Sequence, residues 1–364
     1  MTILRAVAGR SKLRVFAIAA GVVVLALGGA AWTMWPEVED IPETLDEIKP
    51  EVSIAELELE AQGPEPGVRL GELAGQTVYI MIEGKESMTG GEGKLLRRAL
   101  HRWELPEDVV GFSVGDAPAG AVVMRGKIER EFVGPMRDEM KLPIYVDFGG
   151  EFTTAFSLPK GHLGFVILGP ESEVLLRHAG DVDAAKLAEI KALLRAEEPP
   201  PGPAAPDFEL GELSKQSCVE RPCVLVFLDA KVTRGEIPGL DEGGFEGDMK
   251  QAFEQIKQPS VRLARALEAD WAAEDSAKFN GAIVGEGEGW GVEGWPFVAE
   301  AAAARETFGI GADEAGMVII DGQGRVAFSE TGRIPFWKLS LAADLLGIEP
   351  KDYKSRKPGR KESE

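Results

Sequence analysis

An internal repeat is the feature that most constrains the fold of this chain. Residues 164–180 and 316–332 share a pattern of four apolar residues, a turn, a second extended run and a closing glycine, reading GFVILGPESEVLLRHAG and GMVIIDGQGRVAFSETG. Val174 aligns with Val326, and Gly180 with Gly332, at one constant offset. Apolar runs separated by a polar, Gly-containing turn predict a β-hairpin. Two copies of one hairpin indicate two copies of one domain.

The two copies extend upstream of the hairpin. The tetrapeptide Leu-Gly-Glu-Leu occurs at 70–73 and at 210–213. An apolar strand follows each, and residues 109–115 resemble residues 279–285. The predicted central strands are 77–82 and 223–228. Each copy thus reads as strand, helix, strand, helix, hairpin and final helix, which predicts an α/β sheet covered by helices.

The charge of the chain argues against one class of partner. Its 364 residues carry a formal net charge of −21. Nucleic-acid binding needs basic surface, so no general nucleic-acid binder is expected. The acidity is concentrated in the second copy and in residues 36–65, where 11 acidic residues face 1 basic residue.

The N-terminal segment predicts a membrane anchor. Residues 1–14 are basic, and residues 15–35 contain no charge, which is long enough for a helix to cross a bilayer. Basic residues before the apolar run and acidic residues after it place the N-terminus in the cytoplasm and the body outside. A cleaved signal peptide with Gly28, Gly29 and Ala30 at its cleavage site is the alternative. Either way the body is exported, to the periplasm or another extracytoplasmic space.

Composition shifts divide the chain into segments. These are a cytoplasmic basic segment at 1–14, a transmembrane anchor at 15–35 that contacts the inner membrane, an acidic stalk at 36–65, a first domain at 66–196, a Pro-rich linker at 197–206, a second domain at 207–347 and a disordered tail at 348–364.

Three stretches carry a resemblance to a known family. They are APDFELGEL at 205–213, PIYVDFGGEFTTAFSLP at 143–159 and the hairpin at 316–332. The first resembles the opening segment of the thioredoxin-like superfamily, in its redoxin and peroxiredoxin branch. The hairpin at 316–332 resembles the closing hairpin of that family, and residues 143–159 resemble the stretch before that hairpin. The resemblance implies two tandem thioredoxin-like domains, each a central mixed sheet flanked by helices.

The resemblance also implies where catalysis would lie. The family places a cysteine after the first central strand, at a helix N-terminus where the thiol pKa is lowered. Neither copy has a cysteine there, since the loops read IEGKESMTGGEGK at 82–94 and LDAKVTRGEIPGLDEGG at 228–244. Leu163 and Ala315 align with the position of the thioredoxin cis-proline, and neither copy shows the peroxiredoxin arginine near that point. The resemblance therefore predicts that the family's catalytic residues are lost.

The only two cysteines are Cys218 and Cys223, which lie before the central strand of the second copy. They could form a structural disulfide in an oxidising compartment, an exchange-active redox pair, or two ligands of a metal site that needs further ligands. No helix start is predicted beside them. We expect a disulfide without turnover.

Two histidines are weak candidates for metal ligands. His162 and His178 are expected to face each other across the open end of the first hairpin, where a carboxylate could complete a metal site. The constant offset aligns them with Glu314 and Glu330, which favours exposed strand ends. The glycine-rich or acidic loops at 89–94, 241–248 and 285–295 miss the phosphate, calcium and dinucleotide motifs respectively, so no cofactor is expected.

Together these features predict a membrane-anchored extracytoplasmic protein of the cell envelope that binds or scaffolds other extracytoplasmic proteins or peptides without catalysis. The alternative is a thiol–disulfide oxidoreductase or a peroxiredoxin-like antioxidant protein that uses Cys218 and Cys223. A further alternative is a peptide- or anion-binding module that uses the degenerate active-site cleft.

Overall fold

The computed structural model describes residues 38–48, 53–84, 87, 92–137, 142–229, 278–285, 295–299 and 301–348. No helix within these ranges is long and apolar enough to cross a membrane. The predicted anchor at 15–35, the basic segment at 1–14 and nearly all of the predicted tail at 348–364 lie outside the described residues. Residues 89–91, residues 286–294 and the whole loop at 241–248 also lie outside the described residues.

The described strands fall into two five-stranded sheets and two short hairpins. In chain order they are β1 (Glu58–Leu59), β2 (Val68–Arg69), β3 (Thr77–Glu83), β4 (Val109–Ala117), β5 (Ile144–Phe148), β6 (Gly164–Leu168), β7 (Val174–Ala179), β8 (Glu209–Leu210), β9 (Leu213–Ser214), β10 (Cys223–Phe227), β11 (Asn280–Val284), β12 (Phe297–Val298), β13 (Gly316–Ile320) and β14 (Val326–Thr331).

Helices connect and cover the strands. The described α-helices are α1 (Lys94–Arg102), α2 (Arg125–Ile128), α3 (Gly134–Arg137), α4 (Glu151–Ala155), α5 (Ala184–Leu193), α6 (Lys215–Glu220), α7 (Ala301–Phe308) and α8 (Phe336–Leu345). Short 3-10 helices occur at Ile54–Glu56, Leu70–Leu73 and Ala119–Met124, and a short π-helix occurs at Glu129–Val133.

The two large sheets have the same strand order. The first runs β5-β4-β3-β6-β7 and the second β12-β11-β10-β13-β14. In each, the central strand pairs in parallel with the next described strand and antiparallel with the first hairpin strand. This confirms the predicted architecture of two mixed sheets with helices.

The repeated hairpin is the same in both copies down to its irregularity. The strand register shifts between Ile167 and Leu168 in the first copy and between Ile319 and Ile320 in the second, at the same repeat position. Each hairpin closes with a glycine amide that donates to the residue before the first strand, from Gly180 to Leu163 and from Gly332 to Ala315, both at 2.8 Å. The sequence repeat therefore corresponds to a structural repeat.

The shared Leu-Gly-Glu-Leu tetrapeptide does not fold alike in the two copies. Leu70–Leu73 forms a 3-10 turn, whereas in the second copy Leu210 ends one strand of a hairpin and Leu213 begins the other. Gly211 has φ +60° in that turn. In the second copy the hairpin leads directly into helix α6, which begins at Lys215.

The second sheet is covered on both faces. Alternate residues of a strand point to opposite faces. Val224 and Val226 pack in a cluster with Leu339 and Ala342 of helix α8. Leu225 and Phe227 pack in a different cluster, which includes Ala304 of helix α7. The continuous apolar run of β10 is therefore explained by burial on both sides.

The chain divides into two compact units that are not continuous in sequence. The first contains the described residues up to Gly93, Leu105–Arg137 and Leu142–Arg195. The second contains Lys94–Glu104 and the described residues from Ala196 onward. Helix α1 thus clusters with the second unit, although it lies inside the sequence of the first copy. The domain boundaries at 66–196 and 207–347 stay a prediction.

Candidate functional site

The two cysteines form a disulfide. Cys218 lies in helix α6, Cys223 is the first residue of β10, and their Cα atoms are 5.1 Å apart. Both are 0% exposed and pack in the same core cluster as Leu225 and Phe227. The predicted pairing is confirmed. Thiol–disulfide exchange requires that a reaction partner reach one of the sulfur atoms. The burial of both cysteines therefore favours a structural crosslink between helix α6 and the sheet.

A helix start does lie beside the cysteines, so the prediction that none would is wrong. The Ser217 amide donates to Ser214 Oγ at 3.3 Å, and the Ser214 amide donates to Ser217 Oγ at 3.0 Å. This reciprocal pair is a capping box that begins helix α6. The usual sequence signature has Glu or Gln at the third position, so the serine at 217 hid the signal.

The carboxyl end of β3 corresponds to the place where the family carries its cysteine. A Cβ atom on Gly84 would overlap the backbone of Gly161 and His162, so only glycine permits this close approach. The buried Ser87 hydroxyl donates to the Gly84 carbonyl at 2.9 Å. The end of the central strand is therefore in close contact with the segment that precedes the hairpin.

Glu92 contacts the segment that precedes the first hairpin. Its Oε2 accepts the Leu163 amide at 2.6 Å, and its Oε1 lies 3.0 Å from His162 Nδ1. The Gly93 amide, at the start of the following helix, donates to Asp181 Oδ1 at 2.9 Å. The resemblance implies a thiol of lowered pKa at this helix start, whereas here the amide just before the helix donates to a carboxylate of the chain.

The two candidate histidines are not opposite each other. His178 pairs with Phe165 in the hairpin register, and its Nε2 lies 2.8 Å from the Asp181 carbonyl. His162 precedes β6, and its Nε2 lies 2.7 Å from the Glu39 carbonyl. Leu168 pairs with Val174, so the turn is centred later in the chain than the facing geometry requires, and the register shift between Ile167 and Leu168 adds one more residue of offset. Among the described residues, no group of three His, Cys, Asp or Glu side chains could hold a metal ion.

Two carboxylates lie side by side at the carboxyl ends of β4 and β5. Asp116 and Asp147 are register partners on these parallel strands. Burial raises the pKa of Asp116, and the nearby charge of Asp147 raises it further, while the Thr153 hydroxyl, 3.3 Å from Asp116 Oδ2, lowers it. Burial also raises the pKa of Asp147, against hydrogen bonds from backbone amides that include Phe152 at 2.8 Å. The pKa of each carboxyl is thus raised above its ordinary value, chiefly by burial.

This pair of carboxylates was not predicted, although the sequence contains a signal for it. The segments Val114-Gly115-Asp116 and Tyr145-Val146-Asp147 each end a predicted apolar run with an aspartate. Carboxyl ends of adjacent parallel strands share one edge of a sheet. The repeat offset aligns Asp116 with Glu286, and the strand pairing of the second copy aligns Asp147 with Glu300. Both glutamates lie outside the described residues.

In the second unit an arginine occupies the corresponding edge. Arg305 is 6% exposed, and its guanidinium donates to the Leu228 carbonyl at 2.6 Å and to the Gly311 and Glu314 carbonyls at 2.7 Å. It also lies 5.7 Å from the centre of the Phe227 ring. An arginine is therefore present near the end of the central strand, and it holds three main-chain carbonyls.

Comparison with known proteins gives structural likenesses at low identity. No protein-family model and no curated protein matches this chain. A thioredoxin-like superfamily protein of known structure is 22% identical and covers 40% of this chain and 100% of its own, with a TM-score of 0.30. The exposed lipoprotein thioredoxin of Streptococcus pneumoniae is 18% identical over 38% of this chain and 96% of its own, with a TM-score of 0.27. Peroxiredoxin Q of Xanthomonas campestris is 14% identical over 43% of this chain and 98% of its own, also with a TM-score of 0.27.

Proposed function

We propose that this chain, whose two sheets share the thioredoxin-like strand order, is a non-catalytic binding module of the cell envelope. In this proposal residues 15–35 anchor it in the membrane, and the two domains bind extracytoplasmic proteins or peptides. One observation carries the non-catalytic part: both cysteines of the chain are joined in one fully buried disulfide.

The position of the disulfide supports this proposal. Cys223 opens the central strand, whereas the family's reactive cysteine follows the carboxyl end of that strand. At ~3.3 Å per residue, the five residues of β10 separate the two places by roughly 16 Å. A disulfide at the amino end of the strand therefore cannot substitute for a cysteine at the other end without a rearrangement of the sheet.

The redox alternative keeps Cys218 and Cys223 as an exchange pair. Attack on a disulfide requires that a thiolate approach one sulfur along the axis of the bond. Neither cysteine has exposed surface, and both lie among apolar side chains. Exchange would therefore require that helix α6 leave the core, and we place this function second.

An activity assay separates the two functions. The wild-type chain is expected to reduce insulin and consume peroxide no faster than a Cys218→Ser/Cys223→Ser variant. Turnover above background that the single change Cys218→Ser abolishes would overturn the non-catalytic function.

Binding is tested in parallel, because an inactive chain is not by itself a binding protein. Wild type and the double variant, each tagged and chemically crosslinked in intact cells, should retrieve the same set of envelope proteins. The variant should still fold, since closing so short a loop contributes only about 2 kcal/mol on the chain-entropy model. Loss of every crosslinked protein in a folded double variant would show that binding depends on disulfide exchange and would refute the proposal.

A further inference from the structure

A segment of the stalk lies across the hairpin of the first unit. We call residues 38–48 the strap. At its start, the Glu39 amide donates to the Lys160 carbonyl at 3.1 Å, and the Lys160 amide donates to Glu39 Oε2 at 2.9 Å. The Glu39 carbonyl lies 2.7 Å from His162 Nε2. Both the backbone and the carboxylate of Glu39 are therefore bound.

The other end of the strap is held in a similar way. Arg177 donates to the Asp46 carbonyl at 2.8 Å, and the Ser157 hydroxyl donates to the Glu47 carbonyl at 3.2 Å. Leu45 and Ile48 pack against the hydrophobic core of the first sheet. Two apolar side chains thus anchor the end of the strap, on either side of the two carbonyls that the domain binds.

Two glycines make room for the strap. A Cβ atom on Gly161 would lie 3.0 Å from Val38 Cγ2, and one on Gly180 would lie 2.5 Å from Ile41 Cδ1. Both glycines have positive φ, +84° and +83°. The surface under the strap is therefore a groove whose shape depends on two missing side chains.

The contacts define the chemistry that this groove accepts. Three of the bound groups are main-chain carbonyls, of Glu39, Asp46 and Glu47, which any extended peptide could supply. The strap carries five acidic residues, one of which, Glu39, accepts the main-chain amide of Lys160, while the side chains of His162 and Arg177 contact strap carbonyls. The groove therefore matches an extended acidic segment with two apolar anchors near its end.

We propose that this groove is the docking surface for an extended acidic segment of a partner protein, and that the strap is its competitor within the chain. The inference rests on the proposed binding function and names its site and its regulation. A tethered segment acts at an effective concentration in the millimolar range. A partner therefore binds well only after the strap has left the groove.

The test uses the full chain in detergent and a labelled peptide of the strap sequence, VEDIPETLDEI. The variant Leu45→Asp/Ile48→Asp weakens the strap and leaves the groove intact. It should bind the peptide at least tenfold more tightly than wild type, as measured by fluorescence anisotropy. Thr44→Ala, at an exposed position of the strap, should bind as wild type does. Adding Ser157→Ala or Arg177→Ala to the strap variant should weaken binding again.

A second measurement needs no altered chain. In wild type, excess peptide should speed hydrogen exchange of the Glu39 amide, because displacement of the strap breaks its bond to Lys160. The proposal is overturned if a scrambled peptide binds equally well. It is also overturned if the strap variant binds the peptide no more tightly than wild type and hydrogen exchange of the Glu39 amide is unchanged. A third contradicting result is that two copies of the chain swap their straps and do not bind the peptide. If one of these contradicting results is found while crosslinking to envelope proteins is intact and redox turnover is absent, the proposed binding function stands. Only the assignment of the groove as the docking surface is then refuted.

Discussion

At the scale of single residues, the neighbouring carboxylates Asp116 and Asp147 are the least expected feature of the chain. Burying a charge is costly unless it is paired, and a second like charge adds to the cost. Both shifts raise the pKa, so protonation is favoured in the folded chain. Their hydrogen bonds to Thr153 and to the start of helix α4 offset part of this cost.

Replacing Asp116 by asparagine should make the chain more stable at neutral pH. Folding raises the pKa of Asp116, so the protonated acid contributes to stability fully at pH values below its unfolded pKa of about 3.9. This contribution is lost as the pH rises through the folded pKa. Asparagine keeps the neutral shape at every pH. The Asp116→Asn variant should therefore melt a few degrees higher than wild type at pH 7. At pH 3.5 calorimetry should show no gain in melting temperature.

Asp108 provides a control with the opposite sign. Arg195, which donates to Asp108 Oδ2 at 2.7 Å, lowers the pKa of this exposed carboxyl. Its small contribution to stability is present above the unfolded pKa and lost as pH falls. Asp108→Asn should therefore give no stabilisation at pH 7. A gain of equal size in both variants would point to a general effect of reduced negative charge.

At the scale of elements, both copies repeat a close contact between a strand glycine and an aromatic ring. A Cβ atom on Gly111 would overlap the ring of Tyr79, and one on Gly281 would overlap the ring of Trp295. Tyr79 is the neighbour of Gly111 across the parallel strand pair. Strand glycines of this kind mark places where a ring fills the space over the backbone.

Gly111→Ala should destabilise the first unit by about 1–3 kcal/mol, the usual cost of overpacking a buried site. Gly115 lies in the same strand, and the nearest atom to a Cβ there is the Tyr145 carbonyl oxygen at 3.8 Å. Gly115→Ala should therefore be nearly neutral. Chemical denaturation of both variants checks the prediction, and equal losses would mean that strand propensity and not the ring decides.

At the scale of the whole molecule, sequence order and compact units do not coincide. Helix α1 belongs to the second unit, where Arg98 donates to the Ile348 carbonyl at 2.8 Å and Arg102 pairs with Asp344. Arg98 is 8% exposed. Removing it would leave the Ile348 carbonyl without this donor in a buried place.

Arg98→Ala should therefore lower the stability of the second unit, by about 2–3 kcal/mol. In a calorimetric scan it should shift the transition that the Cys218→Ser/Cys223→Ser variant also shifts. Leu95→Ala, at a half-exposed position of the same helix, should cost much less. A shift confined to the other transition would mean that helix α1 is part of the first unit.

The charge pattern at the N-terminus predicts the location of the whole chain. Basic residues before residues 15–35 and acidic residues after them predict that the body lies outside the cytoplasm. A reporter fused after Glu364 should be active only in the exported compartment, and the chain should remain in the membrane fraction after a high-salt wash. A soluble mature chain that starts near Ala31 would exclude the anchor but leave export intact.

The sequence by itself determined the repeat, the two hairpins and the α/β class, because these depend on residues close together in the chain. Glycines at 180 and 332 supply positive φ values of +83° and +73° where each hairpin closes, and apolar runs of strand length require burial on both faces. The resemblance to the thioredoxin-like family gave the expected positions of a cysteine, and the sequence has no cysteine at either of them.

Only the tertiary structure decided which distant side chains meet. Spacing left three uses open for Cys218 and Cys223, and burial with helix α6 in the core favoured the crosslink. Strand register joined Asp116 to Asp147 and separated His162 from His178. The strap on its groove and the placement of helix α1 likewise depend on contacts between residues far apart in sequence. Such contacts form to bury surface across the whole fold, so short sequence patterns do not record them.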